Sequence, residues 1–153
     1  MLVLLLVLPA RFAVAQDKSA DLAIVVNPAC SLDNLSSAEL TRIFKAEKTK
    51  NPDGVKYLLT TRETGSPERN AALKVIYQMT DSEYEKFFLQ ATFAGTVQSA
   101  PKQLASTSAV LQFVGGSPGA ISYLRASDAD GSVKILKIDG KSPGDPDYPI
   151  KIK

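Results

Sequence analysis

The stretch Val55-Lys56-Tyr57-Leu58-Leu59-Thr60-Thr61-Arg62-Glu63-Thr64-Gly65-Ser66-Pro67 decides how this chain is read. Val55 to Thr61 is a β-prone run and predicts a strand. It delivers Arg62 into a turn where Gly65 lets the backbone approach closely. Ser66-Pro67 then reads as N-cap and first residue of a helix carried by Ala71, Leu73, Val75 and Ile76. A helix start offers free N–H donors and about half a positive charge. An arginine can fork two hydrogen bonds onto an oxyanion. Arg62, Gly65 and Ser66 are therefore candidate ligand residues for a phosphate or a carboxylate. Helix capping and a solvated strand-end arginine account for the same residues without any ligand. Pro67 removes one donor, and Glu63 and Glu68 place negative charge beside the cradle.

On the N-terminal side, Leu22 to Val26 is a continuous apolar run ended by Asn27-Pro28 and reads as a buried strand. Ser36-x-x-Glu39 is a capping box, with Leu35 and Leu40 placed as a hydrophobic staple. Leu40, Ile43 and Phe44 share a face of the helix that follows, predicted over 36–46. Asn51-Pro52-Asp53-Gly54 is a turn. On the C-terminal side, the Ser66 helix runs over 67–78. Thr80-x-x-Glu83 caps another over 81–93, with Tyr84, Phe87, Phe88 and Ala91 on one face. Gly95 to Gln103 reads as a polar loop. A helix over 106–114 should stop at Gly115-Gly116. Strands follow at 120–124 and at 133–138, where VKILKI alternates, and the proline-bearing tail 142–149 reads as extended. Strands and helices interleave, so the class is α/β with a mixed sheet.

Composition removes whole classes of chemistry. Among 153 residues there are 18 Lys+Arg, 16 Asp+Glu, one Cys and no His. Without histidine there is no Ser-His-Asp triad, no Cys-His pair and no HExxH zinc site. One cysteine makes neither an intrachain disulfide nor a thiolate zinc site. A net charge of +2 with scattered lysines does not suggest a nucleic-acid surface. No metal site, no cofactor and no enzyme activity are expected. Cys30 lacks a lipoprotein context and is expected to be buried. Asn34-Leu35-Ser36 fits a glycosylation triplet, but Ser36 serves better as a cap.

Residues 1–15, MLVLLLVLPARFAVA, read as a secretory signal peptide: an apolar run over Leu2–Leu8, then Ala13-Val14-Ala15 before Gln16. The run falls short of the ~20 residues that span a bilayer. Cleavage removes Arg11 and leaves 17 − 16 = +1 on residues 16–153, the expected domain. The expected location is outside the cytoplasm, periplasmic or secreted, with no membrane span in the mature chain.

Four motifs stand in order: Leu35-Ser36-Ser37-Ala38-Glu39-Leu40-Thr41-Arg42-Ile43-Phe44, Asn51-Pro52-Asp53-Gly54, Arg62-Glu63-Thr64-Gly65-Ser66 and Pro118-Gly119-Ala120-Ile121-Ser122-Tyr123. Over about residues 22–140 this order resembles the substrate-binding proteins of bacterial phosphate ABC transporters. The resemblance implies a single mixed-sheet lobe of the type II periplasmic-binding-protein kind. It places the family's phosphate-binding arginine on Arg62 and its helix-start serine on Ser66, with Gly65 between. Departures are visible. Thr64 stands where the family often has an acid, Pro67-Glu68 replaces Gly-Thr, and Asn51 replaces the turn's tryptophan. Family members are about twice as long and bind phosphate between two lobes. The glycine- and serine-rich segment that forms the other half of their site is not found here, so the chain reads as one lobe.

The resemblance implies a solute-binding-like protein that takes phosphate or another small oxyanion weakly, in connection with an ABC transporter. A transporter, another envelope protein or a homodimer would be its partner. The alternative is a non-catalytic interaction module that keeps the fold and has lost the ligand. An exposed Arg62, or an Arg62 paired with Glu63 or Glu68, would favour that alternative.

Overall fold

The computed structural model describes residues 20–153, so the signal-peptide reading of 1–15 lies outside the described residues. A five-stranded mixed sheet has the order β4-β3-β5-β1-β6. Its strands are β1 (Leu22–Val26), β3 (Leu58–Arg62), β4 (Lys102–Leu104), β5 (Ala120–Arg125) and β6 (Lys134–Ile135). β3 runs parallel to β4 and β5, while β1 is antiparallel to both β5 and β6. Helices α1 (Ser37–Phe44), α2 (Pro67–Ala72) and α3 (Asp81–Phe93) cover one face, and α4 (Thr107–Gly116) covers the other. All five residues of β1 are buried, with Ile24 facing the first layer and Val25 the second. This is why Leu22–Val26 is apolar throughout rather than alternating.

The helix starts form where the caps predict them. Both capping boxes are closed, Ser36 with Glu39 and Thr80 with Glu83. Ser66 Oγ accepts from Arg69 N–H, with Pro67 in the first turn. α2 widens into a π-helical turn over Leu73–Tyr77, closed by Gln78 at φ +54°. That turn brings Tyr77 edge-on to Phe44 and Tyr84, with ring centroids 5.8 and 4.9 Å apart. Full burial of a side chain of this size contributes about 1.5–3 kcal/mol. Cys30 is buried, as expected.

Several elements differ from the sequence reading. β3 begins at Leu58, because Val55–Tyr57 instead folds back on Thr49–Asn51, with Tyr57 N–H donating to Thr49 O at 2.9 Å. Gly119 lies so close to this segment that a Cβ would fall 2.1 Å from Lys56 O, which only glycine permits. The loop predicted over 95–103 ends in β4, an edge strand whose first two residues are exposed and leave no apolar pattern. α4 continues through Gly115 and Gly116, because the Asn27 side-chain amide donates to Val114 O and Gly115 O, each at 2.9 Å. Those carbonyls need no left-handed glycine cap.

The predicted strand 133–138 breaks at Leu136. β6 joins the main sheet, and β7 (Lys137–Ile138) pairs in parallel with β2 (Asn34–Leu35). Leu136 and Ile138 are both fully buried, whereas Ile135 is exposed. The 142–149 tail is folded into turns rather than extended. It is anchored by the Tyr148 hydroxyl, which donates to Leu22 O at 2.7 Å.

Candidate functional site

β3 ends with Thr60, Thr61 and Arg62 buried, and the chain then turns immediately into α2. Gly65 sits at φ +85°, in the left-handed region where an L side chain is strained. Ser66 N–H donates to Glu63 O at 3.2 Å and tightens the turn. Ser66 Oγ accepts from Arg69 N–H at 3.2 Å, which leaves its own proton as a donor. Arg62, Gly65 and Ser66 thus lie in one turn at the C-terminal end of β3. Two backbone donors that the cradle was expected to offer are engaged, those of Ser66 and Arg69, and Pro67 has none.

Arg62 is only 6% exposed. Its backbone is fixed on both sides: the N–H donates to the Tyr123 hydroxyl at 3.2 Å, and the carbonyl accepts from Arg69 Nη1 at 3.2 Å. Its guanidinium is not. Nη2 donates to Glu63 Oε1 at 3.1 Å, while Nε and Nη1 are buried with no hydrogen-bond partner among the described residues. Glu63 Oε2 is equally without a partner. A buried polar group left unpaired costs about 1–3 kcal/mol, and more when it is charged. Desolvation pushes the Glu63 carboxyl up, yet hydrogen bonding and attraction to Arg62 together hold it below its ordinary value. The carboxylate is therefore ionised at neutral pH and occupies one corner of the guanidinium.

Arg69 forms the floor of the site and was not singled out from sequence. Its Nε donates to Asp81 Oδ1 at 2.7 Å, and its Nη1 also donates to Thr61 Oγ1 at 3.3 Å. The guanidinium lies 4.7 Å from the Tyr84 ring centroid, a cation–π distance. Tyr123 was missed as well; its hydroxyl lies 2.9 Å from Thr61 Oγ1 and joins the aromatic core to the turn. Burial raises the Tyr123 hydroxyl above its ordinary value, so it stays neutral and can donate. Glu68, read as a nearby negative charge, is buried and pairs with Arg125 at 3.7 Å. The signal available for Arg69 was its place three residues after the cap, on the same face as Ala72 and Ile76.

No protein-family model matches the chain. Solved structures do. An ABC-type phosphate transport receptor from Vibrio cholerae aligns with a TM-score of 0.65 at 22% identity, covering 81% of this chain and 48% of its own. A Clostridium perfringens protein described as a phosphate ABC transporter substrate-binding protein, crystallised with bound phosphate, aligns at 0.69 and 17% identity, covering 86% and 52%. PstS from Borrelia burgdorferi aligns at 0.67 and 18% identity, covering 88% and 55%. The chain therefore has a fold seen in phosphate-transporter binding proteins, as its motif order implied, and spans about half the length of these structures. The structures it resembles are binding proteins rather than enzymes. No helix among the described residues is long and apolar enough to cross a membrane.

Proposed function

We propose that this chain is a solute-binding protein in which Arg62, Gly65 and Ser66 hold phosphate or a related small oxyanion, in connection with an ABC transporter outside the cytoplasm. The observation that carries this reading is the buried Arg62 guanidinium, whose Nε and Nη1 have no partner among the described residues. An oxyanion would accept from one of these two nitrogens, which lie on different edges of the planar guanidinium, and from the Ser66 hydroxyl. An arginine contact and a charged hydroxyl contact contribute about 1.5–3 kcal/mol each, and the helix end up to ~1. Against association costs of about 4 kcal/mol or more, millimolar affinity is the expectation for these residues alone. Glu63 is the internal rival, because its carboxylate already accepts from Nη2.

The Arg62–Glu63 pair also favours the second reading, an accessory module that keeps the fold without a ligand. Calorimetric titration with phosphate at low ionic strength separates the two. Weak binding that Arg62→Ala abolishes supports the oxyanion site. The same flat response from both proteins to about tens of millimolar supports the accessory module.

A further inference from the structure

A cavity of about 520 Å³ opens at the other end of β3 from Arg62. Ile43, Tyr57, Leu59, Phe88, Val97 and Phe113 form its apolar walls. Leu59 precedes Arg62 by three residues along β3, about 10 Å at strand spacing, so this is a separate place in the fold. Lys48, Lys56 and Lys102 also line it, and no aspartate or glutamate among the described residues does. Lys48 is partnered by Glu39 at 3.4 Å. Lys102 Nζ lies 4.9 Å from the Phe113 ring centroid. Neither Lys56 nor Lys102 has a carboxylate within ion-pair distance among the described residues.

Small-molecule sites are typically about 300–1,000 Å³, mostly apolar, with a few convergent polar groups. This cavity has that size, that lining and charge of one sign. We infer that it binds a small amphipathic anion, an aromatic or short aliphatic body ending in one carboxylate or sulfonate. The body would lie against Tyr57, Leu59 and Phe88, while the anionic group meets Lys56 and Lys102. A bare inorganic oxyanion lacks the apolar body and is not its ligand. A cation of the same shape meets three lysines and is rejected. The inference does not depend on the Arg62 reading.

The test is an amide NMR titration with 2-naphthoate, in the presence of excess inorganic phosphate. 2-Naphthalenemethanol and 2-naphthylmethylammonium serve as neutral and cationic probes of the same ring. Shifts are expected at Leu59, Val97 and Phe113, with naphthoate binding tightest and the ammonium weakest. Lys56→Gln with Lys102→Gln, both on exposed side chains, should weaken naphthoate about two- to tenfold, as exposed ion pairs do. Val97→Trp, which fills part of the cavity, should reduce binding of every probe. Absence of shifts at these amides with naphthoate would overturn the inference. So would equal affinity for the three probes, or naphthoate shifts concentrated at Gly65 and Ser66.

Discussion

Arg69 and Arg62 stand seven residues apart on either side of one turn, and both are buried, yet their surroundings differ. Arg69 donates to Asp81, to Thr61 and to the Arg62 carbonyl, and it also lies over the Tyr84 ring. Among the described residues, Arg62 has one side-chain partner, the neighbouring Glu63, and two buried nitrogens with none. A satisfied buried charge ties elements together. An incompletely satisfied one costs stability and persists where something else completes it. Arg69 thus reads as the residue that fixes the turn, and Arg62 as the residue the turn holds open.

The largest expected effect is on Arg69. Arg69→Met should destabilise the fold by about 3 kcal/mol, the low end for breaking a buried pair, because the Asp81 side chain is 36% exposed. Arg62→Met removes unsatisfied donors and should change stability by about 1 kcal/mol or less. Urea denaturation of the two variants checks this, and equal losses would break the comparison. Tyr123→Phe deletes the hydroxyl shared by Arg62 N–H and Thr61 Oγ1, and should cost about 1–2 kcal/mol by the same measurement. Ser66→Ala loses the cap on Arg69 N–H and should lower stability by about 1 kcal/mol.

The smallest stability effect belongs to Glu63→Gln, together with a several-fold tighter hold on phosphate in calorimetry. The sign of its pH dependence follows from the lowered Glu63 value. Its ionised form is favoured in the fold, so its contribution is present above the ordinary value of 4.5 and is lost as pH falls through the lower folded value. Acid titrations of stability should therefore show a shallower loss in Glu63→Gln than in the parent chain.

Features made by neighbouring residues were legible in the sequence. The two capping boxes, the Ser66-Pro67 start and the β1 run need only local chemistry, and they were read from a few letters each. The Arg62–Gly65–Ser66 turn was legible for the same reason, as was the rival charge on Glu63. Features made by partners far along the chain were not. Asn27 ends α4 from 87 residues away, so the glycine pair misled. β4 pairs through its backbone at a sheet edge, with only Leu104 buried. The break at Leu136 comes from β7 leaving β1 to meet β2, which an alternating hexapeptide conceals. Arg69 depends on Asp81 twelve residues later and Thr61 eight residues earlier, contacts that exist only once β3, α2 and α3 have packed.

The asymmetry between the two arginines can be observed on the side chains themselves. In a ¹H–¹⁵N spectrum of the arginine Nε–Hε groups, assigned through Arg62→Met and Arg69→Met, phosphate is titrated at low ionic strength. The Arg62 resonance should move and saturate in the millimolar range while the Arg69 resonance, locked on Asp81, stays in place. An Arg62 resonance that does not move, or one that moves no more than that of Arg69, would contradict the assignment of Arg62 as the open cation of an oxyanion site.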